Sequence, residues 1–359
     1  MNTVSMQLLN FRNYSDETLS FESGTNIICG DNAQGKTNAL EALYVFALGK
    51  SFRTAQDREL IRFGEQYTKI LLKYNDSRRE NTIEITIRRD RKKQIKVNGV
   101  VIRRLSELLG NFKVVLFSPG ELGLVQDGPN LRRRFLDIAI SQLKPNYYHL
   151  LYYYNKNLEQ KNSLLRHIKY DNASPDTLFV WNEKLAQYGE EIIKYRIKYA
   201  ALIGEAAKKI NLEICSDELS AEYRAKYTTK AELAEKMNGD CQREIEQGCT
   251  LCGPHRDDLH ITVNGREAKT YASQGQQRTA VLALKLAQAE LIFSETGEYP
   301  VLLLDDIMSE LDTGRRAYLA EKISRGQVII TCTDADVVTG AQTAGITRIR
   351  DGHIIGRGE

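Results

Sequence analysis

The sequence predicts an α/β protein in which a nucleotide-type head is interrupted by a mainly helical second lobe. Three observations carry that expectation. The run Gly30-Asp31-Asn32-Ala33-Gln34-Gly35-Lys36-Thr37 sits between a short apolar stretch, Thr25–Cys29, and a helix-forming stretch over 37–49. Far downstream, Pro300-Val301-Leu302-Leu303-Leu304-Asp305-Asp306 is an apolar strand ending in two carboxylates. Between them, from Asn130 onward, strand-like alternation gives way to helical spacing with charged faces.

The first run is a complete G-x-x-x-x-G-K-T phosphate loop with a strand before it and a helix after it. Its glycines let backbone N–H groups of residues 30–37 wrap phosphate oxygens, and the helix start adds its positive dipole end. Lys36 is expected to reach the β- and γ-phosphates and the Thr37 hydroxyl to ligate Mg²⁺. The second run has the Walker B pattern. Asp305 is the expected holder of Mg²⁺, and Asp306 stands where a catalytic carboxylate orients the attacking water. ATP and Mg²⁺ are therefore the expected ligands.

Two further pieces narrow the class. Ser273-Gln274-Gly275-Gln276 opens a long apolar-periodic helix, and Ser309-Glu310-Leu311-Asp312 follows the carboxylate pair. The first resembles the signature motif of ABC-type ATPases and the second their D-loop, so the α/β head is read as an ABC-type P-loop ATPase head. In that class Ser273, Gly275 and Gln276 cap the γ-phosphate bound to the opposite subunit, which makes an ATP-dependent homodimer the expected assembly. Thr37 and Ser273 lie 236 residues apart (273 − 37), much further than in a transporter subunit of that class. The expected partition is 1–120 for the first part of the ATPase lobe, 121–248 for the inserted helical lobe, and 249–359 for the second part.

At 359 residues the chain exceeds one typical core. Its 42% hydrophobic and 27% charged content is that of a soluble globular protein, and a net charge of +3 leaves nucleic-acid binding to local patches. It contains no run of eighteen apolar residues and no basic-then-apolar leader, so no membrane partner and a cytoplasmic location are expected. Six cysteines in such a chain read as reduced. Cys249 and Cys252 have metal-ligand spacing, with His255 and His260 nearby but no second pair at zinc-finger distance.

Along the first lobe, residues 5–14 read as a strand closed by a polar turn. In the SMC-like branch of ABC-type ATPases, which this segment resembles, an equivalent F-R segment lies beside the nucleotide, and that resemblance makes Arg12 a candidate contact to phosphate or base. Alternating strands are expected at 69–73, 82–87 and 95–97, with Asn98-Gly99 as a tight hairpin turn. Arg88, Arg89, Arg91, Lys92 and Lys93 form the densest basic run of this lobe and are the candidate DNA-backbone contacts, with Arg132, Arg133 and Arg134 a weaker second set. Glu121 is the nearest candidate for a metal or water contact where ABC-type proteins carry a Q-loop, and Gln126 stands further on. A seam of Leu185, Tyr188, Ile192, Tyr195, Tyr199, Leu202 and Ala206 suits packing against a partner helix. A single helix is expected over 230–246. Thr333 or Asp334 occupies the switch position.

Assembled, these residues resemble the RecF family of bacterial recombination-mediator ATPases, in the SMC-like branch of ABC ATPases. The marks are N-F-R-N-Y from Asn10, the loop with N-x-L-E-A after it, G-K-S-F-R-T from Gly49, R-R-x-F-L-D from Arg132, G-P-H-R-D-D-L from Gly253, S-Q-G-Q-Q-R from Ser273 and L-L-L-D-D-x-x-S-E-L-D from Leu302. The family usually has an acid directly after Pro119, where this chain has Gly120. The resemblance implies an ATP-dependent dimer that binds double-stranded DNA near single-strand gaps, works with RecR and RecO to load recombinase, and hydrolyses ATP slowly under DNA stimulation.

Overall fold

A computed structural model describes residues 1–333 and 343–358. The chain divides into two compact units. Unit one comprises Met1–Glu121, Glu213–Ser216 and Val281–Glu359; unit two comprises Leu122–Leu212 and Asp217–Ala280. The first join lies at 121/122, against the expected 120/121. The second lies at 280/281 rather than 248/249, because a strand that precedes residue 249 pairs with one that follows it.

Unit one contains two six-stranded sheets. One is antiparallel, in the order β2-β1-β4-β5-β6-β7, with β1 (Asn2–Phe11), β2 (Tyr14–Ser20), β4 (Tyr67–Asn75), β5 (Glu80–Arg88), β6 (Gln94–Val97) and β7 (Val100–Ile102). Its central strands β4 and β5 alternate strictly. Thr68, Ile70, Leu72 and Tyr74 of β4 and Ile83, Ile85 and Ile87 of β5 are buried, while Lys69, Lys73 and Arg88 face out. The Asn98-Gly99 turn has positive φ at both residues, as a two-residue primed hairpin requires.

The other sheet is the nucleotide core, in the order β15-β14-β3-β13-β12-β8. Its strands are β3 (Thr25–Cys29), β8 (Val114–Phe117), β12 (Val301–Asp305), β13 (Val328–Cys332), β14 (Thr343–Arg350) and β15 (His353–Gly358). All neighbours are parallel except β15. Every residue of β3, β8, β12 and β13 is buried, the near-continuous apolar pattern of a parallel sheet covered on both faces. Helices α1 (Lys36–Leu48) and α10 (Thr313–Ile323) belong to this unit.

Unit two is helical with a small sheet. Its helices are α2 (Gly123–Gln126), α3 (Pro129–Leu143), α4 (Pro145–Asp171), most of α5 (Leu178–Ile214), α6 (Lys230–Gly239), α7 (Cys241–Gln247), α8 (Ala268–Tyr271) and the start of α9 (Gln274–Thr296). Its sheet is β11-β10-β9, with β9 (Leu219–Arg224), β10 (Asp258–Val263) and β11 (Arg266–Glu267). The β9–β10 pairing spans residue 249 and keeps 249–280 in this unit. The single helix expected over 230–246 is broken at Gly239-Asp240, where glycine is the weakest helix former of the stretch. The α5 seam follows the expected spacing at Leu185, Ile192 and Tyr199. It also buries Arg196, and it leaves Leu202 exposed. Arg196 is accommodated because Asp137, Tyr147, Tyr223 and the Pro254 carbonyl surround its guanidinium.

Candidate nucleotide site

The phosphate loop begins where β3 ends, and β13 separates β3 from β12, so two functional strand ends flank one spacer at the carboxyl edge of the sheet. Gly30 has φ 156°, and a Cβ there would lie 2.3 Å from the Ile349 carbonyl oxygen. Gly35 has φ 115°, and a Cβ would strike the Asn13 side chain. Only glycine fits either place.

The loop is braced from outside by the N-F-R-N-Y segment. Asn13 Nδ2 donates to the Gln34 carbonyl at 2.9 Å, and the Tyr14 hydroxyl donates to the Gly35 carbonyl at 2.9 Å. Gly352 N–H also donates to Gln34 O at 3.0 Å. Lys36, 8% exposed, donates through Nζ to the carbonyls of Gly30 (2.7 Å) and Asp31 (2.8 Å). Its ammonium is thereby parked over the loop, and Asp31, Asn32 and Ala33 are exposed.

The two Walker B carboxylates have different surroundings. Asp305 is buried, and its Oδ1 accepts from Thr37 Oγ1 at 2.8 Å and from Thr331 Oγ1 at 2.9 Å. Burial raises its pKa, and the neighbouring Asp306 charge adds to this, while Thr37, Thr331 and Arg53 oppose it. A hydroxyl and a carboxylate held together at 2.8 Å, with too little positive charge to offset burial, form a hard-oxygen donor set that suits Mg²⁺. Asp306 follows in the left-handed region (φ 53°, ψ 21°), its N–H donating to the Thr331 carbonyl and hydroxyl. A non-glycine residue in that region costs of order 1 kcal/mol, a strain typical of residues held for function.

Arg12 is placed differently from expectation. Its Nε and Nη2 donate to both oxygens of Glu41 (2.9 and 2.7 Å), and Nη1 donates to the Glu59 carbonyl at 2.8 Å. Glu41 projects from α1 into the interior with no exposure, and an unpaired charge there would be costly. The guanidinium fork is spent on that carboxylate, with Ser51 and Arg53 assisting, so Arg12 braces α1 instead of reaching phosphate or base. Glu121 likewise is committed, to Lys285 at 3.0 Å. Among the described residues no group of three or more His, Cys, Asp or Glu could hold a metal ion, and His255 is engaged by Tyr154 and the Thr250 carbonyl. Asp334 lies outside the described residues.

In unit two, Ser273, Gly275 and Gln276 open α9. Ser273 Oγ accepts from Gln276 N–H at 3.2 Å, and Gln276 Oε1 accepts from Ser273 N–H at 2.9 Å. In this reciprocal S-x-x-Q box two of the helix-start donors are satisfied within the chain. The Ser273 hydroxyl accepts one bond and keeps its hydrogen to donate. Gln276 Nε2 continues to Asp217 Oδ2 at 3.1 Å, and Asp217 Oδ1 accepts from Asn264 Nδ2 at 2.7 Å. Gln126 is tied to the next residue, its Nε2 donating to Gln277 Oε1 at 2.8 Å.

The basic run of the first lobe does not form one surface. Lys93 pairs with Asp57 and the Gly49 carbonyl, and Arg89 Nε donates to the Glu65 carbonyl. Arg88, Arg91 and Lys92 instead line a groove of about 440 Å³ together with Tyr67, Lys69, Glu84, Thr86, Gln94 and Lys96. Lys69 and Lys96 escaped sequence reasoning, although strand periodicity places both on the outward face. Arg132 is bidentate on Asp258, and Arg133 donates to the Asp257 carbonyl, so both are structural.

A strand-loop-helix phosphate cradle, a Walker B pair and a signature serine define an ATPase of the ABC type. The chain matches the RecF/RecN/SMC N-terminal domain over residues 3–354 and belongs to that family. Within it the similarity is to RecF. The chain is 40% identical over 358 residues to the DNA replication and repair protein RecF of Clostridium perfringens, covering 98% of each, and 43% identical to that of Alkaliphilus oremlandii. A solved structure of the recombination mediator RecF bound to ATP, from the RecFOR pathway, superposes with a TM-score of 0.92 at 36% identity, covering 100% of this chain and 98% of that one. An SMC head from Pyrococcus furiosus, at 17% identity and TM-score 0.56, shares the fold.

Proposed function

We propose that the chain is an ATP-gated DNA repair and replication protein. In this reading it dimerises on ATP, binds double-stranded DNA near single-strand gaps, and helps RecR and RecO load recombinase. Slow, DNA-stimulated hydrolysis resets the cycle. The repair-protein relatives support the pathway, and one observation supports the dimer. The Ser273 hydroxyl is fixed by its own capping box with a hydrogen to donate, as a γ-phosphate delivered by a second chain requires.

Each residue then has a task. Lys36 leaves the Gly30 and Asp31 carbonyls for the β- and γ-phosphate oxygens, an exchange of neutral for charged acceptors. Thr37 and Asp305 would hold Mg²⁺, which neutralises charge on the β- and γ-phosphates when bound. Asp306 orients the water that attacks the γ-phosphorus as the bond to the leaving ADP oxygen breaks. Ser273 of the second chain donates to a γ-phosphate oxygen.

Mixing two inactive variants tests the sharing. Ser273→Arg blocks the signature and Lys36→Ala removes the phosphate-loop cation. In the mixed dimer one composite site carries both lesions and the other carries neither, so ATPase activity should reappear. Ser273→Arg that alone dimerises and hydrolyses ATP like wild type would refute the shared site.

A further inference from the structure

The antiparallel sheet of unit one carries a polar outer face whose charge pattern no step of the nucleotide chemistry uses. Lys69 on β4 and Lys96 on β6 reach the same carboxylate from opposite sides. Lys69 Nζ lies 2.9 Å from Glu84 Oε2, and Lys96 Nζ lies 2.9 Å from Glu84 Oε1. Register makes this unavoidable, because Glu84 pairs with Lys96 across one ladder and Lys69 pairs with Thr86, its same-face neighbour on β5, across the other. Lys69 is 46% and Lys96 34% exposed, against 20% for Glu84. Arg88, Arg91 and Lys92 extend the same groove, so five cations face one lining carboxylate.

We propose that this groove seats the phosphodiester backbone of duplex DNA, and that Glu84 is a built-in counter-ion which phosphate displaces from Lys69 and Lys96. The inference rests on the DNA-binding reading above and names its surface. The Tyr67 ring is covered by the Arg88 guanidinium, 5.3 Å from its centroid, so the face offers charge and no free ring for stacking on a base. Neighbouring strands lie about 4.8 Å apart, which spreads the cations over a width suited to a repeating anion and not a single ion. An acidic protein segment is the weaker fit. The strands beneath the groove, β4 and β5, are paired on both sides and offer no edge for strand addition. Hydrogen bonds from Lys96 and Lys69 hold the Glu84 carboxyl below its ordinary range, so it stays charged and competes with phosphate at any physiological pH.

Glu84 should therefore weaken the binding that its neighbours provide. In fluorescence anisotropy with a labelled 30-base-pair duplex, full-length protein and a non-hydrolysable ATP analogue, Glu84→Gln should bind about threefold or more tighter than wild type. Its log affinity against log salt should steepen by about one, because the net charge of the groove rises by one when the internal counter-ion is removed. A Lys69→Ala/Lys96→Ala double variant should weaken binding and flatten the slope by about two, with ATP affinity unchanged. Wild-type binding with Glu84→Gln unchanged or weaker overturns the proposal, as does a double variant that binds like wild type. Tightening of Glu84→Gln toward polyglutamate with none toward DNA also overturns it, in favour of an acidic partner. A wild-type chain that binds no DNA would instead sink the parent reading.

Discussion

His255 and Asp257, two residues of the G-P-H-R-D-D-L run, should contribute to the pH dependence of stability with opposite signs, so that their two contributions nearly cancel. Burial pushes the Asp257 carboxyl up from 3.8 to about 6, against a hydrogen bond from Tyr223 and the charge of Arg196. Burial pushes the His255 ring down from 6.5 to about 4, with the Arg256 charge contributing. Between about pH 4 and 6 the folded chain keeps the Asp257 proton that the unfolded chain has lost, so raising the pH destabilises. Over the same window the folded chain has lost the His255 proton that the unfolded chain keeps, so raising the pH stabilises. Each displacement of 2 to 2.5 pH units is worth about 3 kcal/mol, and the two nearly cancel. Urea unfolding at pH 4, 5, 6 and 7 reads the balance. Relative to wild type, His255→Gln should lose about 3 kcal/mol on going from pH 4 to 6, and Asp257→Asn should gain about as much. The double variant should run parallel to wild type. Single variants that also run parallel to wild type would refute the reasoning.

Three other residues give separable outcomes. Asp306→Asn should bind ATP without hydrolysing it and accumulate as an ATP-bound dimer in sedimentation, because only the water-orienting carboxylate is lost. Asp305→Asn should instead weaken the Mg²⁺ dependence of ATP binding while leaving the nucleotide-free fold at least as stable, since it removes a buried carboxylate whose desolvation Thr37, Thr331 and Arg53 do not fully offset. Identical behaviour of the two would undo that division of labour. Asp217→Ala should raise the protein concentration needed for ATP-driven dimerisation about tenfold or more, because hydrogen bonds to a charged acceptor are worth roughly 1.5–3 kcal/mol and this one anchors Gln276. Asn264→Ala, which removes the Asn264 hydrogen bond to Asp217 and leaves Gln276 in place, should dimerise normally; equal loss in both would reduce Asp217 to a fold effect.

What the sequence disclosed and what it hid divide by the distance over which a partner must be found. The phosphate loop, Asp305 and Asp306 were legible because spacing along the chain defines their chemistry. The Asn98-Gly99 turn was legible for the same reason. Arg12 was misread because its partner, Glu41, lies 29 residues on, and only burial of α1's inner face reveals that this carboxylate needs a cation. The shared grip of Lys69 and Lys96 on Glu84 depends on the register of three strands, which no spacing encodes. Arg196 hid inside an apolar seam, its place fixed by Asp137 and tyrosines brought from elsewhere in unit two. The S-x-x-Q box at Ser273 is the opposite case: the pattern stood in the sequence, but its ABC-type reading displaced the helix-capping one.

That box also bounds the strength of any ATP-driven dimer. Were the signature donors unsatisfied, a γ-phosphate would recover several buried or strained N–H groups at once, and the dimer would scarcely come apart. Because Ser273 and Gln276 already satisfy one another, the phosphate gains chiefly the Ser273 hydroxyl hydrogen from them. A charge-assisted bond of that kind is worth roughly 1.5–3 kcal/mol, so two symmetric sites give about 3–6 kcal/mol. That corresponds to an ATP-dependent tightening of about 10²–10⁴. Reciprocity then requires that dimerisation tighten ATP binding by the same overall factor. On the proposed reading, a switch of that size would close on ATP and open when hydrolysis removes the γ-phosphate, without a further release device.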